Sequence, residues 1–379
     1  MISRFFYPIG QGAFYAEKHK AFNVVYDCGN ADLKPRTRSK NIISQNFSKN
    51  EKINILFIYH LDWDHISLIE HLKNTVESID YVVMPLLHDE QKILLSNIHR
   101  ALDYPSSAII NTPEEFFGEK VKIIRVKTSE TNEVTEQVID LGEHSDIENG
   151  RVVASGTLVK TGIDNYNWCF IPFNVENVDR SKILEKKLRD SGFDIDKLKT
   201  DPKYTLEQLI TKKKKNELKK IYESLDGNIN ENSLVLYSGP EECSLCSSIG
   251  HVAHKYNMCI RCDHLGLGSK IGCIYTGDTD LNKFDLTKIY GKYWDSVGTV
   301  QIPHHGSEKN FNTDFLGSKR LICPISFGIK NSYGHPSYKV INDILIKNSY
   351  VIKVTENMDS GYVQVLDHYC MHCCIKKYI

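Results

Sequence analysis

The sequence predicts a mixed α/β fold built on two sheets, and three observations carry that prediction. Short apolar runs rich in β-forming residues recur along the chain, among them Ile55–Tyr59, Tyr81–Pro85, Ile271–Thr276, Val297–Pro303 and Leu321–Phe327. Stretches with apolar residues at helical spacing lie between them, such as Ile66–Lys73 and Tyr338–Ile346. Four of the runs stop abruptly in polar clusters: His60-Leu-Asp62-Trp-Asp64-His65, Gly277-Asp278, His304-His305-Gly-Ser307 and Asn331-Ser-Tyr-Gly-His335-Pro-Ser337. One such ending is a coincidence; four define one face. A chain of 379 residues is long for one domain, so a single domain over 1–379 with insertions is expected.

Taken in order, Ser3–Gly12 begins with β-formers, and Phe22–Gly29 is a second strand with a turn at Asp27 to Gly29, the two making an opening hairpin. Lys34–Lys52 reads as loop and helix. The run Ile55–Tyr59 is a buried strand, and the helical spacing behind His65 puts the polar cluster on a strand-to-helix turn. Tyr81–Pro85 is a strand and Glu90–Leu102 a surface helix. Lys120–Val126, Gln137–Leu141, Val152–Val159 and Trp168–Pro172 are strands expected to supply the second sheet. Residues 179–229 are charged, helix-forming and poor in glycine, and read as a basic helical insertion. Its run Lys212-Lys213-Lys214-Lys215 is either a solvated helix face, the plainer account, or a surface that tracks phosphates.

Residues 240–270 hold Cys243-x2-Cys246 and, twelve residues on, Cys259-x2-Cys262. Two such turns present four sulfurs to one ion, which predicts a structural zinc knuckle with no open position for catalysis. The strands after it deliver Asp278, His304-His305 and the Asn331–Ser337 loop to the same edge as the first cluster. Tyr350–Thr355 and Gly361–Leu366 close the sheet, and the Cys/His-rich stretch from Asp367 to Cys374 reads as a partly ordered tail.

Bulk composition excludes little. Lys plus Arg is 47 and Asp plus Glu 48, so net charge gives no argument for nucleic acid. No apolar run reaches the about 18 residues of a membrane span. The segment Met-Ile-Ser-Arg-Phe-Phe-Tyr-Pro lacks a signal peptide's apolar stretch, so a cytoplasmic protein is expected, and its eleven cysteines read as thiols or metal ligands.

Four donors in six residues at the end of a core strand are the strongest chemical signal. Burying unpaired carboxylates and imidazoles costs several kcal/mol, on the order of 2–7 for a polar group and more for a charge, unless a cation compensates. His60 and Asp62, two apart on an extended turn, can face one cation, and Asp64 and His65 a second. Asp278 from a neighbouring strand end bridges the two, and His304 or His305 completes the set. Carboxylates mixed with imidazoles, and no thiolate, suit two divalent ions, Mn²⁺ or Zn²⁺. Two such ions about 3.5–4 Å apart lower the pKa of a bridging water and clamp a scissile phosphate. Asp64 would then orient the nucleophile, while Ser307 and His335 are candidates for holding the phosphate oxygens or protonating the leaving oxygen.

The arrangement resembles the metallo-β-lactamase superfamily, whose first motif is His-x-His-x-Asp-His, with Asp62 in place of the second His. The variant His60-x-Asp62-x-Asp64-His65, together with Asn232-Ser-Leu-Val235, Thr276-Gly-Asp278, His304-His-Gly-Ser307 and Tyr333-Gly-His-Pro336, resembles the ComEC-type competence-protein domains. The phrases Gly10-Gln-Gly12 and Tyr26-Asp-Cys-Gly29 look like that family's opening hairpin. The resemblance implies an αββα sandwich and a nuclease acting on a DNA or RNA phosphodiester, without the membrane channel of ComEC proteins. The third His that many relatives outside this subgroup place near the Asn232 motif is missing. A hydrolase of another ester, lactone, thioester or lactam is the alternative within the superfamily. A partner-binding sensor with a vestigial metal face, using the knuckle and the basic insertion as protein-interaction surfaces, is the alternative outside it.

Overall fold

The computed structural model describes residues 2–32, 37–129, 133–142, 147–163, 166–176, 178–207, 211–224, 232–242, 247–253, 258–261, 270–317 and 319–368. Two sheets dominate. The larger runs, edge to edge, through the strands Met258–Arg261, Ser247–Ala253, Tyr362–His368, Ile2–Phe6, Phe14–Lys18, Asn23–Cys28, Lys52–Phe57, Ser78–Pro85, Lys122–Val126 and Arg151–Val153. The smaller runs through Tyr350–Val354, Ile322–Ser326, Val297–Val300, Gly272–Tyr275, Asn232–Gly239, Cys169–Glu176, Leu158–Lys160 and Val138–Asp140.

Three separate cores make the layers. Along the strand Lys52–Phe57 and just past it, Ile55, Phe57 and Tyr59 point to the second sheet, where they meet Phe170, Leu236 and Tyr275. Leu56 and Ile58 point the other way, onto Ile69, Leu72 and Ile98 of the helices. Both faces are buried because the strand is parallel to both neighbours, Asn23–Cys28 and Ser78–Pro85, so it reads as an unbroken apolar run. A third core packs the far face of the second sheet, through Val235, Ile274 and Ile325, on Leu286, Ile289, Val340 and Ile344. Helices, sheet, sheet, helices: this is the αββα sandwich the resemblance implies. Among the described residues no helix is long and apolar enough to cross a membrane.

The structure corrects several expected elements. The opening hairpin holds an extra strand, Phe14–Lys18, between its two arms. Its Glu17 conceals it in the sequence: the carboxylate is wholly buried between the sheets because Arg4 Nε donates to it at 2.7 Å. Tyr275 and Ser238 also donate to Glu17, at 3.1 and 2.7 Å, and Arg4 donates to Gln364 at 2.8 Å. Val152–Val159 is not one strand. Arg151–Val153 and Leu158–Lys160 belong to different sheets, and the chain crosses at Gly156, whose φ is 80°. Lys122–Val126 likewise joins the first sheet. The helix Asp89–Ala101 is no surface helix, since it buries Leu94, Leu95, Ser96, Asn97, Ile98, His99 and Ala101.

Helices Val178–Asp190, Ile195–Thr200, Tyr204–Glu207 and Lys212–Ser224 occupy the expected helical insertion. Residues 247–253 and 258–261 form a hairpin whose first strand pairs with Tyr362–His368. Of the knuckle cysteines, Cys243, Cys246 and Cys262 lie outside the described residues, and Cys259 is placed only as backbone of the second hairpin strand. The tail beyond His368 also lies outside them.

Candidate metal centre

All the expected donors meet where the two sheets open, at the carboxyl ends of Lys52–Phe57, Gly272–Tyr275 and Val297–Val300. The sheets are joined there by Leu234 N–H donating to Tyr59 O at 2.8 Å. His60, Asp62, Asp64, His65, Asp278, His304 and His305 are all buried.

Close packing fixes the first cluster. A Cβ on Gly29 would stand 2.4 Å from Asp64 O, and one on Gly12 2.8 Å from the same atom. Ala13 N–H donates to that oxygen at 3.2 Å. The glycines of the opening motif are therefore the seat on which the backbone of Asp64 rests. Asp27, His304 and His305 hold φ angles of 49°, 46° and 55°, a left-handed conformation that bulky side chains adopt only when their surroundings impose it.

Each imidazole is held in the same way. His60 Nδ1 donates to Asn232 O at 2.8 Å, His65 Nδ1 to Asp27 Oδ2 at 2.7 Å, His304 Nδ1 to Asn310 Oδ1 at 2.9 Å and His305 Nδ1 to Ser326 O at 2.8 Å. Every one of these partners accepts only, so every Nδ1 carries the proton. Each Nε2 then turns toward a carboxylate: His60 to Asp62 at 3.3 Å, His65 to Asp278 at 3.5 Å, His305 to Asp64 at 3.4 Å and His304 to Asp278 at 4.0 Å. In a neutral imidazole that Nε2 is a lone pair facing the lone pairs of an oxygen, so a cation, either a proton or a metal ion, is required between them.

The donors fit a divalent ion by this test. Two ligand atoms about 2.1 Å from one ion stand roughly 3.0–3.4 Å apart, close to the three shorter separations. Among the described residues no three His, Cys, Asp or Glu side chains converge on one ion as they stand, so the donors meet in pairs.

Around His65 and His305 the carboxylates favour the charged imidazole. Burial opposes charge on His65, but Asp278, Asp27 and Asp64 outweigh it and raise the imidazole well above its usual range. His305 is raised against burial by its contact with Asp64 and by Asp278. Burial opposes ionisation of Asp278, yet His65 and then His304 hold it well below the ordinary carboxylate value; Asp64 is lowered against burial by His65 and His305. Burial, only partly countered by His65, raises Asp27.

Ser307 is buried, with its N–H donating to His304 O at 2.9 Å. The His335 ring stands edge-on to His304, 5.4 Å between centroids, and Asn331 clamps its backbone through bonds of 3.0 and 2.6 Å. Ser233 Oγ accepts from Asp278 N–H at 3.2 Å, so the Asn232-Ser233 phrase supports both His60 and Asp278.

The lysine run is divided. Lys212 and Lys213 are exposed, whereas Lys214 donates to Ser191 O at 2.9 Å and pairs with Glu217 at 3.2 Å, and Lys215 pairs with Asp103 at 2.7 Å. A cavity of about 330 Å³ opens between the Gly10–Gln11 turn, Asn30, Arg38 and the Lys330–Tyr333 segment. Its walls run on into the loops that seat Asp64 and clamp His335. Arg38 and Lys330 have no ion-pair partner among the described residues, and Tyr333 is exposed.

Sequence reasoning missed Asp27, Asn310 and His99. Asp27 had a signal, a carboxylate at a strand end before Gly29. His99 had one too: it lies four residues after Leu95 and next to Ile98, on the apolar stripe of its helix.

No family model matches the chain, and no curated protein matches it. Among solved structures it is similar to human tRNase Z, short form, over 94% of this chain and 92% of that one, at 8% identity and a TM-score of 0.34. It is similar also to the metallo-β-lactamase fold protein YhfI from Bacillus subtilis, over 96% of this chain and 99% of that one, at 8% identity and a TM-score of 0.38.

Proposed function

We propose that this chain is a metal-dependent phosphodiesterase of the ComEC type that cuts nucleic acid. One observation carries the reading: four imidazoles protonated at Nδ1 aim Nε2 at three buried carboxylates, an arrangement that calls for cations. His60 and Asp62 would hold one ion, Asp64, His65 and His305 the other, and Asp278 would lie between them. Bound there, two divalent ions of the zinc or manganese kind would supply Lewis acidity and an activated water.

The chain's own residues do the rest. Asn232, Asp27, Asn310 and Ser326 keep each imidazole in one tautomer and one orientation. His335 stands edge-on beside His304, where its imidazole can give a proton to a leaving oxygen. Ser307, on the same turn, is suited to hold a phosphate oxygen. The cavity beside the site has room for a nucleotide, with Arg38 and Lys330 to meet phosphate and Tyr333 to stack a base. Lys212 and Lys213, exposed on their helix, would be further candidates for phosphate contact.

The test is cleavage of end-labelled single- and double-stranded DNA and RNA with Mn²⁺, Zn²⁺ or EDTA, with Asp64→Ala in parallel. Metal-dependent cutting that vanishes in Asp64→Ala is the expected result. A metal-loaded protein that cuts none of the four substrates overturns the nucleic-acid assignment.

A further inference from the structure

The proposed first ion has only two donors from the strand-to-helix turn, His60 and Asp62. The other donor proposed for it, Asp278, is shared with the second ion. The structure brings a fifth imidazole to the same place. His99, on the helix Asp89–Ala101, is wholly buried, and its Nε2 has no hydrogen-bond partner. That atom stands 3.9 Å from Asp62 Oδ1, while His60 Nε2 stands 3.3 Å from Asp62 Oδ2, so the carboxylate lies between two imidazoles. His60 Nε2 is likewise without a hydrogen-bond partner.

We infer that His99 is a further protein ligand of the first metal ion, beside His60, Asp62 and the shared Asp278. An unmet buried donor or acceptor costs about 1–3 kcal/mol, so the second nitrogen of a buried imidazole calls for a partner. His99 satisfies only one nitrogen, Nδ1, which bonds Ser106 Oγ at 2.6 Å. Like the other four imidazoles it has Nδ1 hydrogen-bonded and Nε2 presented to a carboxylate; with the Ser106 hydroxyl accepting from Nδ1, Nε2 is left with its lone pair. The helix is also fastened to the motif. Tyr104 stacks on Trp63 at 4.9 Å and meets the His99 ring edge-on at 5.4 Å, and Tyr104 N–H donates to His99 O at 2.9 Å. An ion drawing His99 Nε2 a few tenths of an ångström toward Asp62 would bring their separation near the roughly 3.4 Å expected of two ligands on a tetrahedral ion. The donor is supplied by a helix and not by a strand end, which is why no motif spacing announces it.

This inference rests on the metallohydrolase reading, and the experiment separates the two. Full-length wild type, His99→Gln, His99→Ala and Ser106→Ala are loaded with Zn²⁺, dialysed, and measured for bound metal by elemental analysis and for affinity by chelator competition. Co²⁺-loaded samples give the ligand-field spectrum. Wild type is expected to hold two ions. Both His99 variants are expected to hold one, with a changed Co²⁺ spectrum. Ser106→Ala is expected to weaken one ion about 10–100-fold, the scale of a lost partner behind a ligand. Two ions held by both His99→Gln and Ser106→Ala at wild-type affinity would overturn the ligand role alone. Loss of an ion in His99→Ala but not in His99→Gln would assign His99 to packing and overturn it as well. A wild type that binds no ion would overturn this inference and the metallohydrolase reading together.

Discussion

Asp27 offers the sharpest test of how the site is held, because its two oxygens do different work. Oδ2 accepts from His65 Nδ1 at 2.7 Å, and Oδ1 accepts from Tyr59 N–H at 2.7 Å. The first bond orients a proposed metal ligand; the second ties the strand end to its neighbour. Asp27→Asn separates them. The amide keeps one carbonyl oxygen for Tyr59 N–H, and Asn tolerates the φ of 49°. Its NH₂ then faces the Nδ1–H of His65, donor against donor, and the imidazole loses its anchor. Losing such a partner lowers metal affinity about 10–100-fold, or about 1.4–2.7 kcal/mol. Asp27→Ala loses both bonds. It should match Asp27→Asn in weakened binding and in addition lose about 1–3 kcal/mol of metal-free stability from the unpaired Tyr59 N–H. Chelator competition for Zn²⁺ reads the first quantity, and chemical denaturation of the metal-free proteins the second. Wild-type affinity in Asp27→Asn would refute the orienting role. Equal metal-free stability of the two variants would refute the division of labour between the oxygens.

Four further outcomes are expected. Asp278→Asn should fold and lose turnover by about 10²–10³, the scale of one lost transition-state stabiliser, in the end-labelled cleavage assay. Glu17→Gln leaves the Arg4 guanidinium buried without its counter-charge and should cost about 3–5 kcal/mol in a urea titration, with little change in bound metal. Arg38→Ala and Lys330→Ala should each weaken nucleic-acid binding across sequences and reduce the salt slope by about 1, measured by titration at several salt concentrations. The last concerns pH. The raised imidazoles of His65 and His305 give the metal-free protein stability that is complete below the unfolded value of about 6.5 and lost as pH rises through the folded values. The lowered carboxylates of Asp64 and Asp278 give stability present above about pH 3.9 and lost as pH falls through their folded values. Metal-free melting temperature should therefore decline on the alkaline side, and Zn²⁺ should restore it there by replacing the protons. A melting temperature that climbs steadily from about pH 6 to about pH 9 without metal would contradict that sign.

The sequence by itself determined the strand-to-helix turn, the four polar strand ends and the helical character of the charged segment after Glu176. These are local: a buried parallel strand must be an apolar run, and donors that recur at strand ends must share an edge. His60, Asp62, Asp64, His65, Asp278, His304 and His305 were legible for that reason, and the structure brings them together. Only the tertiary structure decided what depends on partners distant in the chain. Glu17 disguised a core strand because its counter-charge, Arg4, lies 13 residues away on another strand. Val152–Val159 divides between two sheets because the chain crosses between layers at Gly156, which no local propensity records. Asp27 stands behind His65 across 38 residues, and His99 reaches Asp62 from a helix whose apolar stripe alone would have made it a core residue. Pattern reports which residues are buried; whether a buried imidazole is satisfied depends on what the fold sets against its second nitrogen.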